Sequence, residues 1–302
     1  MMQDYLLKIR LLSPVGTPWH SDTIFGHLCW QVAYGVIDIG IDQFLEPFRN
    51  GRAPFVLSDA FPANRLPRPL LNIEFTTTGT LEEYVEFKHK KKAPFVGSDD
   101  FLQICRGQMP CDQAFDDSPW ITGSTLHASL DRIKFTTGHE GALYSTDFSL
   151  LDTEDSIIDI YIRCDEGWID KVMALVEACS KSGFGRDKSI GMGKFEVVEY
   201  KPFEEFKILK DANGFVSLSS MVPANDDPPD ARYRLRTKYG KIGEGAGRNP
   251  FKRPLLQMEP GAVFRTDDGV RDYYGRLVEG IAPGDNRVVQ NCFCLPIACV
   301  IE

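Results

Sequence analysis

The sequence predicts an α+β protein built from two βαββαβ-type units. Three observations carry this. Residues 5–200 run strand, helix, strand, long insertion, strand, helix, strand, the ferredoxin-like or RNA-recognition-motif-like (RRM-like) layout. After residue 203 come further strand patterns and one weak helix pattern, read as a degenerate second unit of the same class. The 302 residues suffice for two ordinary domains, each large enough for its own core. The expected division is 1–203 and 204–302. In such a unit the helices cover one sheet face, and the other is left for a ligand.

The elements follow in order. Tyr5 to Leu12 alternates with aliphatic and β-branched residues, a strand stopped by Pro14, Gly16 and Pro18. Ser21 or Asp22 is placed to cap a helix from Thr23 to about Tyr34, with Ile24, Phe25, Leu28, Cys29 and Val32 on one face. His20 and Ser21 then sit at the positive end of that helix, where an anion is welcome. Phe55 to Pro62 is a short strand closed by a turn. No period holds from Leu81 to Trp120, which predicts an insertion with at most a short helix, partly mobile. Leu126 to Ile133 and Ala142 to Phe148 suggest a projecting β-hairpin, within about 126–150. Ser156 to Cys164 is a strand and Trp168 to Lys181 the clearest helix, with Ile169, Val172, Met173, Val176 and Cys179 three and four apart. A strand from Phe195 to Tyr200 completes the first unit. Beyond it, Gly214–Ser219, Ala231–Tyr239, Leu255–Met258 and Val288–Ile301 read as strands, and Asp272–Glu279 as the weak helix.

Composition bounds the function. The hydrophobic fraction of 43% and charged fraction of 25% are those of a soluble globular protein. No apolar run approaches a membrane span, and the first ten residues read as a strand, not a signal peptide. Eight cysteines are scattered without a Cys-x-x-Cys pair, which argues for reduced thiols in a cytoplasm and against a zinc site. No cofactor and no metal are expected. The net charge is −9, yet eight cations and one acid lie between Arg232 and Arg253. An acidic body with one basic stripe suits a protein that holds an anion on one face.

Two stretches carry that chemistry. From Gly183 to Phe195 the chain reads Gly-Phe-Gly-Arg-Asp-Lys-Ser-Ile-Gly-Met-Gly-Lys-Phe. Gly183, Gly185, Gly191 and Gly193 allow positive φ and close approach. Bare N–H groups beside Arg186, Lys188, Ser189 and Lys194 would cradle phosphates. The stretch leaves a helix and enters a strand, the reverse of a Walker loop; a C-cap glycine with a tight turn is the plainer alternative. In the second stretch, period two puts Arg232, Arg234, Arg236 and Lys238 on one face, with Tyr233 and Leu235 towards the core. With Lys241, Arg248, Lys252 and Arg253 following, a chain of phosphates is the natural partner, although a charged edge strand would look similar. The run Lys88 to Lys92 reads as a solvated face. The five histidines share no metal-ligand spacing. His20 or His127 beside Lys188 could serve a metal-free ribonuclease. Ser124, Ser129 and Ser189 stand in no nucleophile context, and no carboxylate pair stands out.

Taken together, these residues resemble the RAMP superfamily of CRISPR proteins. Within it they resemble the subunit of type III-A (Csm) effector complexes that grips the 5′ handle of the crRNA. The resemblance rests on the segments Trp19–Gly26, Leu57–Pro62, His127–Arg132, Gly183–Phe195, Asn249–Pro254 and Met258–Gly261, and covers the chain outside the insertion. It implies two RRM-like RAMP domains, a Gly-rich loop and a protruding hairpin thumb. It further implies a non-catalytic subunit that contacts crRNA, the large polymerase–cyclase subunit and a backbone RAMP subunit. RNA contacts are then expected from His20, Ser21, Asp22, His127, Ser129, Arg132, the Gly-rich loop, Arg234, Arg236, Lys252 and Arg253. Members often carry Asn after the hairpin histidine, where this chain has Ala128. A metal-free crRNA-processing endoribonuclease of the same superfamily is the alternative, and a phosphate-binding metabolic enzyme of ferredoxin-like fold a third.

Overall fold

A computed structural model describes residues 2–301 except 72–79, 81–83, 86–87, 89–91, 109–114, 132, 134–135, 138–142, 207–208, 210, 244–249 and 286. The architecture is mixed α/β, with antiparallel sheets and few helices.

The first sheet is built from β1 (Gln3–Leu11), β2 (Phe55–Leu57), β11 (Ile157–Cys164) and β12 (Phe195–Pro202), in the order β12-β1-β11-β2, with β3 (Phe61–Pro62) also on β11. Helices α1 (Ser21–Ala33), α2 (Ile41–Arg49) and α4 (Ile169–Ser182) complete it; α3 lies in the insertion. Leu7, Ile9, Ile160 and Ile162 of the sheet meet Ile24 and Leu28 of α1 and Val176 and Cys179 of α4, which is why alternation in strands and three–four spacing in helices were both readable. The sequence reading assigns no element to residues 35–54. Pro47 argues against a helix there, yet α2 forms because Phe44, Leu45 and Phe48 share a face and are buried. Phe48 packs edge-on to Phe25 and Phe55 at 4.9 and 5.2 Å.

The second sheet face is not free for a ligand, contrary to the expectation. Tyr161 lies under Phe203 and Phe206. Lys8 pairs with the buried Asp159 at 2.9 Å, and Arg163 pairs with Asp4 and donates to the carbonyls of Pro296 and Asp272.

The insertion holds β5 (Phe95–Gly97), α3 (Ser98–Cys105) and β6 (Phe115–Asp116), and β5 pairs with β4 (Arg65–Pro67), which precedes it. Its described part is anchored: Val96, Phe101, Ile104 and Cys105 are buried, and the Val300 N–H donates to the Cys105 carbonyl at 2.8 Å. The hairpin of β7 (Trp120–Ala128) and β10 (Leu143–Leu151) begins six residues earlier than expected, and β8 (Leu130–Asp131) pairs with β9 (Thr136–Thr137) beyond it.

The second half is a sheet of β13 (Gly214–Ser217), β14 (Ala231–Arg232), β17 (Val263–Arg265) and β20 (Pro296–Cys299), in the order β14-β17-β13-β20. Two ribbons flank it, β15 (Leu235–Lys238) with β16 (Leu255–Met258), and β18 (Tyr274–Val278) with β19 (Gln290–Cys294). The weak helix expected at 272–279 is therefore a strand. Strand geometry wins because Tyr274 stacks on Phe215 at 3.9 Å, and Phe215 in turn on Phe264 at 4.8 Å. The segment read as one strand from 288 to 301 is two, β19 and β20, interrupted at Leu295. One hydrophobic cluster runs through both halves, from Leu7 and Phe55 to Leu218, Phe293 and Ile297.

Candidate nucleic-acid interface

The Gly-rich loop lies between α4 and β12. Its four glycines have φ of +78°, +77°, +100° and +65°, and Asp187 is left-handed too; Lys188–Ile190 forms one 3₁₀ turn. At Gly193 a Cβ would stand 1.9 Å from the Phe184 carbonyl oxygen, and at Gly185 it would stand 2.7 Å from Thr17. Gly193 and Gly185 are thus required by close packing, and Gly191 by its φ alone.

Most of the loop's N–H groups are taken up by the chain itself, which narrows the cradle that the sequence suggests to the turn around Asp187–Ser189. Gly185 and Arg186 donate to His27 Nε2 and Thr17 Oγ1, both at 3.0 Å. Gly193 and Lys194 donate to the Pro14 carbonyl and Ser13 Oγ, both at 2.8 Å. Phe184, Ile190, Gly191 and Met192 donate to carbonyls inside the loop. A buried N–H must find a partner, and for these eight the chain supplies it. What the loop turns outward is side chain: Arg186, Ser189 and Lys194 are exposed, and Lys188 is partly so. Gly193→Ala is expected to destabilise the protein by about 1–3 kcal/mol, more than Gly191→Ala, because both distort φ but only Gly193 faces a carbonyl while Gly191 faces open space. Urea unfolding of the two variants checks the order.

The hairpin joins this loop. The Arg186 guanidinium donates to the Asp147 carbonyl, and Val15 bridges Ser149. Register puts His127 opposite Tyr144, Thr125 opposite Thr146, Gly123 opposite Phe148 and Ile121 opposite Leu150 on one face. The His127 ring stacks on Tyr144 at 5.2 Å and its Nε2 meets Thr146 Oγ1 at 2.8 Å. Phe148 lies over Gly123, where a Cβ would come within 2.6 Å of the ring. Ser129 is exposed just past β7. Arg132, like Lys90 and Lys91 of the basic run, lies outside the described residues.

Of the remaining predicted residues, His20, Ser21, Asp22, Arg236 and Lys252 go elsewhere, into a polar network between α1 and the second half. His20, not Ser21 or Asp22, is the N-cap of α1, without a side-chain cap bond. The Ser21 N–H is taken by Asp59 Oδ1 at 2.9 Å, so the carboxylate welcomed by this helix start is the chain's own. Ser220 donates to the same Asp59 through its N–H at 2.9 Å and its hydroxyl at 2.6 Å. Arg236 donates to Ser220 Oγ at 2.7 Å and to His20 Nε2 at 2.9 Å. Asp22 is wholly buried and accepts from Lys238, from Gln257 at 2.9 Å and from Gln290 at 2.5 Å. Lys252 donates to Gln290 Oε1 at 2.8 Å.

The basic ladder is therefore corrected. Lys238 points inward to the buried Asp22 and Arg236 to Ser220 and His20, and Tyr233 and Leu235 are exposed; Arg232, Arg234 and Arg253 remain on the surface. Burial lowers the His20 pKa to about 4, with Arg236 and Lys238 adding to the shift against Asp59 and Asp22. Burial and then Lys188 lower His27 to about 4 as well. Burial also lowers Lys252. Among the described residues, Ser21 Oγ, Trp19 Nε1, Arg236 Nε and Gln257 Oε1 are buried and find no hydrogen-bond partner, an exception to the usual pairing of buried polar groups. Among the described residues no three His, Cys, Asp or Glu side chains could hold a metal ion together, and no helix is long and apolar enough to cross a membrane.

Sequence reasoning missed Ser13, Thr17, His27, Asp59, Gln257 and Gln290. For Asp59 a signal existed, since Leu57–Pro62 belongs to the segments that carry the resemblance. For the two glutamines there was none.

The fold is similar to that of chains from solved multi-subunit assemblies, as a likeness of fold alone. A chain of the Csm1–Csm4 cassette in complex with cA4 matches with a TM-score of 0.64 at 15% identity, over 99% of each chain. A chain of the same cassette in complex with pppApA gives 0.60 at 16%, again over 99% of each. A chain of the Csm3–Csm4 subcomplex in the type III-A CRISPR-Cas interference complex gives 0.55 at 17%, over 100% of both. No family model and no curated protein matches the sequence.

Proposed function

We propose that this chain is the non-catalytic RNA-binding subunit of a type III-A CRISPR effector complex. In this reading it anchors the 5′ handle of the crRNA and joins the large polymerase–cyclase subunit to the backbone RAMP subunits. The observation that carries the proposal is the end-to-end fold likeness to chains from two assemblies whose common component is Csm4. The reading includes two RRM-like units, 1–203 and 204–302, and a thumb formed by the β7–β10 hairpin.

The site is the continuous surface of the Gly-rich loop and the hairpin. Arg186, Lys188 and Lys194 supply charge for phosphates, which fix position without reading sequence. The Tyr144–His127 pair and Phe148 supply rings on which splayed bases stack. The absence of cleavage is part of the proposal. His20 Nε2 is taken up by the Arg236 guanidinium in the network under α1, and His127 Nε2 meets Thr146 Oγ1, which supports the non-catalytic reading.

The test is the full chain with labelled repeat RNA, with and without Mg²⁺. The RNA should bind and stay intact. Lys188→Ala and Lys194→Ala should each weaken binding about tenfold or more, for all sequences alike, and flatten the salt dependence. Site-specific cuts lost in His127→Ala would establish the endoribonuclease instead, and no RNA binding at all would end the reading.

A further inference from the structure

The Gly-rich loop and the β15–β16 ribbon meet on one side of α1. Thr23, Gly26, His27 and Trp30 stand at i, i+3, i+4 and i+7, a single helix face. His27 Nε2 accepts the Gly185 N–H of the loop at 3.0 Å. Thr23 Oγ1 accepts from Lys238 of the ribbon at 2.6 Å. Beyond the ribbon Lys241 bridges Phe251 in the same antiparallel sense, and Gly243 lies so close to Trp30 that a Cβ there would collide with the indole. Gly26 sits between these anchor points, inside the helix and partly exposed. Glycine weakens a helix interior, and here neither φ nor packing calls for it. Its φ is not positive, and among the described residues nothing comes within 4 Å of where its Cβ would stand. The helix is thus bare where a ligand passing from loop to ribbon would cross it.

The ribbon's outer face carries rings and cations. Tyr239 is 77% exposed, Phe251 57% and Tyr233 45%. Tyr239 and Phe251 lie towards Gly243 and Tyr233 just before β15, with Leu235 and Leu256 on the face between them. Arg232, Arg234, Lys241 and Arg253 are exposed beside them and, among the described residues, form no ion pair; the Lys241 ammonium lies over the Phe251 ring at 5.4 Å. Resting on the function proposed above, we infer that the crRNA strand held at the Gly-rich loop continues across α1 at Gly26 and along this face. There Tyr239, Phe251 and Tyr233 stack its bases, and the four cations take its phosphates. Aromatic rings set among cations that follow a backbone are the anatomy of a single-strand surface, and each phosphate contact adds counterion release. The occupant is the strand already on the loop because the two surfaces join on one face of α1. A protein contact would account for the two leucines but not for the bare glycine on that helix.

The experiment measures equilibrium binding of labelled repeat RNA to the full chain, with thermal melting of each variant. Tyr239→Ala/Phe251→Ala should weaken binding about tenfold or more, and Tyr239→Phe/Phe251→Tyr, which keeps both rings, should restore it. Gly26→Leu should weaken binding to a similar extent without lowering the melting temperature, since leucine is the better helix former. A glycine with only a structural role would not separate those two readouts. Arg232→Glu/Arg234→Glu should weaken binding and flatten its salt dependence. The track is overturned if the ring variant or Gly26→Leu keeps wild-type RNA affinity. It is also overturned if the ring variant loses binding to the large or the backbone subunit while its RNA affinity stays, which would make the face a protein contact. Wild-type protein without RNA affinity would end the functional reading and this inference with it. RNA binding that falls in Lys188→Ala but not in the ring variant would overturn the track alone.

Discussion

Replacing Lys238 by methionine is expected to lower the free energy of unfolding by about 3–5 kcal/mol, because it leaves a buried carboxylate without its counter-ion. Asp22 has no exposed side-chain surface. Burial pushes its pKa up, but the Lys238 ammonium, the hydrogen bond from it, His20 and Gln257 outweigh that and hold the group below its ordinary value. Without Lys238 the burial term wins, and Asp22 either takes up a proton or stays charged in an apolar surround. Gln257 and Gln290 remain as donors, which keeps the loss from being larger. Lys238→Met/Asp22→Leu should recover much of the stability, since two apolar groups of similar volume replace the pair. Denaturant unfolding of the full chain measures both. A single variant within 1 kcal/mol of wild type would mean that the network does not hold α1 to the second half.

That network also shows where sequence reading stopped. Period two correctly grouped Arg236 with Lys238, because strand geometry fixes which side chains share a face. It named the wrong face as buried, since Tyr233 and Leu235 are exposed. The buried face was decided by Asp22, about two hundred residues earlier in the chain, whose buried carboxylate takes Lys238, and by His20 and Ser220, which take Arg236. In the same way, glycine marked where φ turns positive in the Gly-rich loop. The acceptors of that loop's N–H groups come from Ser13, Thr17 and His27, and nothing local encodes a distant hydroxyl or imidazole. The strands β1, β11 and β16 and helices α1 and α4 were legible because each buries one face of a regular pattern. Residues 272–279 carry Tyr273, Tyr274, Leu277 and Val278, a set that fits either period. The stacking of Tyr274 on Phe215, a tertiary contact, settles it as a strand.

Acidification from pH 7 to pH 5 is expected to remove about 3–4 kcal/mol of stability, carried by His20 and His27. Both side chains titrate near 4 in the folded protein and near 6.5 in the unfolded chain. Between those values the unfolded chain binds more protons, so stability is complete above about pH 7 and falls as pH drops towards 4. Asp22 adds a separate loss at lower pH: its folded pKa is depressed, so its contribution holds above the ordinary carboxylate range and disappears only below it. The histidine loss has a structural route. Protonated His27 can no longer accept the Gly185 N–H through Nε2, and protonated His20 would face the Arg236 guanidinium with like charge. Both events loosen the same place, because Trp19, next to His20, stacks on Phe184 of the Gly-rich loop at 3.8 Å and the His27 ring lies 4.5 Å from that phenylalanine. RNA retention should therefore weaken over the same pH interval as stability. His27→Gln keeps an acceptor without a titrating group and should halve the pH dependence of unfolding while leaving neutral-pH RNA affinity near wild type. Equal slopes for wild type and His27→Gln between pH 7 and 5 would show that the loop is not held by this imidazole.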